Sequence, residues 1–165
     1  MKLVFFDTEF TELGIDPRLI SIGLVSDDGE QTFYAELSGT YTPADCGDFA
    51  RLAVLPKLEA GEALITFGEL GKRLLAWLVA FGEPVTLACD SLAWDWPWVH
   101  EIFGELGTWP DNLDHQPEIL RKETEFNLAV ERAFAGGLRR HHALDDAKAN
   151  RLGWLAMNGT TKESQ

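Results

Sequence analysis

Apolar residues fall along the chain in short blocks whose spacing changes from strand-like to helix-like and back. Residues 2–8 (KLVFFDT) and 18–26 (RLISIGLVS) are almost continuously apolar, the pattern of buried strands, while 31–37 (QTFYAEL) alternates as a half-exposed strand does. Asp27-Asp28-Gly29 between the second and third runs is a tight-turn signal, so these two strands are expected to pair antiparallel, with the first joined to them by a longer loop. A helical stretch is expected near 44–54, stopped around Pro56. Thr66-Phe67-Gly68-Glu69 has the spacing of a capping box and opens an apolar-periodic helix running to about Phe81, where Gly82 and Pro84 end it.

Residues 84–90 (PVTLACD) read as a buried strand reached by a helical crossover, which places it parallel to an earlier strand. Pro97 suits the first turn of a helix from Trp98 to about Leu106. The Pro- and Asp-rich stretch 107–123 reads as loop with one short strand. Helices follow over 124–134 and 143–157, separated by Gly136-Gly137 and a basic turn. The order predicts an α/β fold, a mixed five-stranded sheet flanked by helices, as a single domain over 1–158 with a flexible tail over 159–165.

Composition changes this picture little, but charge changes it more. With 165 residues, 45% hydrophobic and 25% charged, the chain can bury one ordinary core. Its longest apolar runs, such as Leu74 to Phe81, fall well short of the roughly 20 residues of a membrane span. The first apolar run meets Asp7 and Glu9 too soon for a signal peptide, so a cytoplasmic protein with no membrane partner is expected. Cys46 and Cys89 lack C-x-x-C spacing and read as reduced thiols. A net charge of -13 argues against tracking a long phosphate backbone, and two bound dications would still leave the molecule acidic. Arg139, Arg140, Lys148 and Arg151 form the local basic cluster, sufficient for short substrates.

Three places carry candidate chemistry. Asp7 and Glu9, two residues apart at the end of an apolar strand, project from the same face of the sheet and could share a metal, or could mark where the strand leaves the core. In Cys89-Asp90-Ser91-Leu92-Ala93-Trp94-Asp95, a buried strand ends and a helix begins. Asp95 stands there as metal ligand or helix cap, and Asp90 competes for the ligand role. Arg139-Arg140-His141-His142-Ala143-Leu144-Asp145-Asp146 is a basic turn leading into a helix whose first turn is acidic, as the dipole favours. A histidine at that helix start is disfavoured as a cation, which suits a general base. Zinc binding by His141 and His142 is the alternative, although neither the cysteines nor His100 and His115 offer spacing to complete such a site.

Taken together, Asp7-x-Glu9, then Asp95, then His141-x-Ala143-x-x-Asp146-Ala147 resemble the DEDDh superfamily of 3′-to-5′ exonucleases over residues 5–147. Asp7-Thr8-Glu9-Phe10 with Val54-Leu55-Pro56-Lys57-Leu58 is most similar to a small stand-alone bacterial and phage exoribonuclease subgroup. The resemblance implies a ribonuclease-H-like fold, with three antiparallel strands and the next parallel to the first. It also implies two Mg2+ or Mn2+ ions held by Asp7, Glu9, Asp95 and Asp146, with His141 as general base. Asp145 and His142 fall on variable positions. Ser91 stands where many members have Asn, Trp94 where Phe is usual, and Phe10 where many proofreading members have Thr.

The implied reaction is two-metal hydrolysis of single-stranded nucleic acid from its 3′ end, with RNA favoured over DNA by the subgroup resemblance. Phe10, Trp94, Trp96 and Trp98 are candidate stacking surfaces for bases, at least two of the three tryptophans being expected in the core. Thr11 and Leu13 are expected to line the Phe10 pocket, Ser91 lies in the second motif, and Arg139, Arg140 and Lys148 either contact phosphates or form a solvated face. A homodimer is the oligomer the superfamily implies. Rival readings are a deoxyribonuclease of proofreading or repair type, a ribonuclease-H-like endonuclease that would not need His141, and a nucleic-acid-binding module without turnover.

Overall fold

The computed structural model describes residues 1–159; the tail expected over 159–165 lies, apart from its first residue, outside the described residues. Its centre is a six-stranded mixed sheet in the order β4-β3-β2-β1-β5-β6. The strands are β1 (Lys2–Phe10), β2 (Leu19–Ser26), β3 (Thr32–Leu37), β4 (Leu64–Ile65), β5 (Val85–Cys89) and β6 (Glu118–Ile119). β2 pairs antiparallel with both of its neighbours, β1 and β3, and β5 runs parallel to β1, as expected. The sheet has six strands rather than five because β4 pairs for two residues alongside β3 (Glu36 with Leu64, Leu37 with Ile65), too short to leave an alternation in the sequence. β6 is the short strand expected within 107–123 and lies parallel to β5.

Helices α1 (Phe67–Val79) and α2 (Leu92–Leu106) cover one face of the sheet, and α3 (Thr124–Ala135) and α4 (Ala143–Asn158) cover the other. The alternation along β1 divides the core accordingly. Val4 and Phe6 join the cluster under α1 and α2, whereas Leu3 and Phe5 join Phe126 and Ala147 under α3 and α4. Thr66 caps α1 by accepting from the Glu69 N–H, and Leu70, Leu74 and Leu78 turn one stripe onto the sheet. Each such buried leucine contributes roughly 1.5–3 kcal/mol.

Two expected elements differ. The stretch expected as a helix near 44–54 is a 3-10 turn (Pro43–Asp45) and then a wide π-type turn (Ala50–Val54) running into a second 3-10 turn (Leu55–Lys57). Pro56 has no N–H to give to a fourth-back carbonyl, and the turn before it closes instead by the Leu55 N–H reaching the Ala50 carbonyl. Helix α2 starts six residues early, at Leu92, with Pro97 inside it. The carbonyl that Pro97 leaves without a donor belongs to Ala93, and both residues are exposed, so water can satisfy it.

Two features of this frame position the site. β5 pairs with β1 only from Lys2–Val85 to Phe5–Ala88, so the last part of β1, Asp7 to Phe10, runs on past the end of β5. The start of α2 fills that gap. On the other side of β1, Gly23 of β2 lies opposite Asp7, and a Cβ there would come within 2.2 Å of the Leu144 backbone nitrogen. Only a glycine lets the first turn of α4 settle onto the sheet at this point.

Candidate active site

Three segments distant in sequence meet at the free end of β1. The cleft there has a volume of about 450 Å³, and Asp7, Glu9, Asp95, His141 and Asp146 all line it. Asp7 and Glu9 come from β1, where period-two alternation turns both carboxyls to one side. Asp95 comes from the first turn of α2; it is not the helix cap, a position that Ser91 occupies. It is 2% exposed, and its Oδ1 accepts a 2.6 Å hydrogen bond from the Thr8 hydroxyl. Asp146 comes from the first turn of α4 and accepts the His141 N–H at 2.8 Å through Oδ2.

The carboxyls are crowded without enough cations to balance them. Burial first, then the charges of Asp95, Asp146, Glu9 and Asp90, push Asp7 well above the ordinary carboxylate range. Burial, followed by the charge of Asp146 and a hydrogen bond shared with it, likewise pushes Glu9 up. Burial lifts Asp95 to about 7 against the opposing Thr8 hydrogen bond, and burial lifts Asp146 against the His141 N–H. Such a site holds protons until a stronger positive charge replaces them.

The donor set fits hard divalent metals. Ligand atoms of Asp7, Asp90 and Asp95 lie within 4.8 Å of one another, as do those of Glu9, His141 and Asp146. Asp95 Oδ2 is buried with no hydrogen-bond partner among the described residues, an orphan that a metal ion would satisfy. Three histidines fall outside these groups: His100 and His115 flank Trp109, and His142 is buried as the cap of α4, where its Nδ1 faces the Asp145 N–H.

His141 is held in an unusual conformation, with φ at +63°, a region that residues with a Cβ rarely enter. Burial, then Lys57 and Arg140, hold its imidazole below the ordinary histidine value, so it stays neutral near pH 7. The loop that presents it is tied down on its far side. Lys57 Nζ donates to the Arg140 carbonyl. Arg139 donates to Asp145 through its backbone N–H (2.9 Å) and Nε (2.7 Å), and to Glu59 through Nη2 (3.0 Å). His142 Nε2 lies 3.1 Å from Glu59 Oε1, and its ring stacks on Tyr34, whose hydroxyl donates to buried Glu36.

Among the candidate substrate contacts, Phe10, Leu13, Ser91, Trp94 and Arg140 line the cleft. Phe10 and Trp94 stack at 5.9 Å, whereas Trp98 is buried and Trp96 packs against Phe6. Thr11 does not line the cleft itself: it is 1% exposed and its hydroxyl accepts the Arg18 N–H, but together with Leu13 it borders, as expected, an apolar recess beside Phe10, which Phe49 completes. The basic residues do not form one patch. Arg140 pairs with Glu131 at the cleft, while Lys148 and Arg151 lie in a separate hollow beside Gly29. Asp90, Lys122, Phe134 and Asn150 also line the cleft. Asn150 could have been found at one helical turn beyond Asp146, but Lys122 follows a two-residue strand that leaves no pattern.

No protein-family model matches the chain. Two curated relatives, 3′-5′ exoribonucleases of Mycobacterium tuberculosis strains CDC 1551 / Oshkosh and ATCC 25618 / H37Rv, are each 46% identical to it over 54 residues. That stretch takes in 33% of this chain and only 31% of each relative's length. The crystallographic structure of the nuclease domain of 3′hExo, a DEDDh family member, bound to rAMP, matches with a TM-score of 0.62 at 18% identity, over 99% of this chain and 94% of that one. The chain therefore has the fold of a DEDDh nuclease domain, and its motifs resemble those of the same exonucleases.

Proposed function

We propose that this chain is a metal-dependent 3′-to-5′ exonuclease, acting on single-stranded RNA in preference to DNA. The observation that carries the reading is the meeting of Asp7, Glu9, Asp95 and Asp146 with a neutral His141 in one cleft. Two ions, Mg2+ or Mn2+, bound by the four acids would supply the Lewis acidity that activates a water and offsets charge on the phosphate. Asp7 and Glu9 hold their ligand atoms on a rigid strand, and Asp95 is fixed by Thr8. His141 presents a neutral imidazole that takes the proton of the attacking water at a ring nitrogen. As the water oxygen bonds to phosphorus, the bond from phosphorus to the 3′-oxygen of the upstream nucleotide breaks, that oxygen takes up a proton from solvent, and the terminal nucleotide departs with its phosphate.

The Phe10–Trp94 pair offers a face to a terminal base, with Leu13 beside it and Arg140 for a phosphate. An RNA preference is supported by the names of the two partial relatives and by the rAMP bound to the 3′hExo domain. Among the described residues no helix is long and apolar enough to cross a membrane. A cytoplasmic location and a homodimer belong to the same proposal, the latter checked by light scattering in solution.

The test is a time course on matched 5′-labelled single-stranded RNA and DNA with Mg2+ or Mn2+, using the unmodified chain, His141→Ala and Asp146→Ala. The expected result is a ladder shortening from the 3′ end, faster on RNA, abolished by EDTA and by Asp146→Ala and nearly so by His141→Ala. Internal cuts, or full activity of His141→Ala, would rule the mechanism out. Binding of both strands with no cleavage would indicate a binding module.

A further inference from the structure

Asp90 and Lys122 are charged groups of the cleft that the four-acid scheme does not use. Asp90 follows directly on Cys89, the last residue of β5, and Lys122 follows the neighbouring strand β6, so the sheet brings the two side by side. Lys122 Nζ lies 2.7 Å from Asp90 Oδ2. As a surface ion pair this would need no comment, but its two halves are placed differently. The Lys122 side chain is 50% exposed and reaches in from the rim, whereas that of Asp90 is 20% exposed and lines the cleft.

A carboxylate oxygen of Asp90 lies within 4.8 Å of those of both Asp7 and Asp95. Asp95 adds the independent sign of a missing ligand, since its buried Oδ2 has no partner while Oδ1 is taken by Thr8. The charge of Asp90 is felt at Asp7, Asp95 and Asp146, and Lys122 opposes the effect at Asp95. A lysine is a mobile point charge on a flexible stem. A dication set among Asp7, Asp90 and Asp95 would repel it and leave it free at the rim at little cost, because half of the side chain already meets water.

From this geometry we infer that Asp90 is a fifth carboxylate of the metal centre and that Lys122 is its built-in counter-ion, exchanged for metal on loading. The inference rests on the metal-dependent reading above. It predicts effects of opposite sign from the two halves of one ion pair, which a merely structural pair would not give.

The experiment is calorimetric titration of Mn2+ into the full chain, as unmodified protein, Asp90→Asn and Lys122→Gln, with thermal unfolding to establish that each is folded. Asp90→Asn is expected to weaken Mn2+ binding about tenfold, and Lys122→Gln to tighten it roughly threefold. Unchanged affinity in Asp90→Asn, or weaker binding in Lys122→Gln, overturns the inference while the unmodified chain still binds Mn2+. An unmodified chain that takes up no Mn2+ overturns the metal-dependent reading, and this inference with it.

Discussion

Two polar regions meet at the start of α4, and adjacent residues belong to opposite ones. Asp145 looks away from the cleft into a network with Arg139, Glu59 and His142 in which each group has a partner. Although burial pushes Asp145 up, its bonds from Arg139 outweigh that and hold it below the ordinary carboxylate value. Asp146, one residue on, faces four more carboxyls, and burial pushes it up. The paired region stabilises the fold, whereas the crowded one costs stability in the absence of metal. Helix α4 carries both because its first turn presents successive side chains about 100° apart.

The sharpest way to break this contrast is to uncouple activity from stability. His141→Ala is expected to lower the rate of RNA hydrolysis by about 10²–10⁴ while leaving the unfolding temperature almost unchanged, since its imidazole is not part of the paired network. A parallel loss of both would make His141 structural.

Gly23→Ala should damage both regions together. Its methyl group would meet backbone of Ala143 and Leu144, so the first turn of α4 must shift, at a cost of roughly 1–3 kcal/mol. Denaturant unfolding and the same RNA assay would check this, and an unaffected protein would mean that α4 is not seated as described. Asp145→Ala removes the acceptor of two Arg139 bonds and is expected to cost about 1–3 kcal/mol, with activity at saturating metal reduced less than stability.

The smallest effects have the opposite sign. Asp95→Asn keeps an acceptor for Thr8 but removes one crowded charge, and it should raise the unfolding temperature of the metal-free protein by a few degrees, about what 1 kcal/mol gives at this size, while impairing Mn2+ binding. Because the cleft acids have folded values above their unfolded ones, the folded state holds extra protons between about pH 4 and pH 8. Metal-free stability should therefore fall as pH rises through that window, and Mn2+ should restore it. Asp145 runs the other way, its contribution being lost as pH falls below the ordinary carboxylate value of 3.8. A thermal unfolding series from pH 3 to pH 8, with and without Mn2+, separates the two.

Much of this was legible in the sequence, for definite reasons. Strands β1, β2 and β5 are buried on both faces and so announce themselves as apolar runs, and α1 carries both a cap and a stripe. Asp7 and Glu9 were readable because strand periodicity fixes their common face. What stayed hidden lies where contacts are long-range. β4 and β6 are two residues each and exist only through pairing with β3 and β5. The early start of α2 depends on solvent at Ala93, and it decides between the two readings of Asp95, which is a buried first-turn acid and not the cap. The choice between Asp90 and Asp95 could not be made from spacing because the cleft takes both. Glu59, the partner of His142 Nε2, lies 83 residues away along the chain.

The overhang of β1 past β5 also bears on the order of assembly. It leaves the acidic end of the strand with no neighbour on that side until α2 arrives, and without His141 beside it until α4 docks at Gly23. The carboxyls therefore come together only when α2 and α4 pack on the sheet, against their mutual repulsion in the absence of metal. Divalent metal present during refolding should then favour docking of α2 and α4 by offsetting that repulsion.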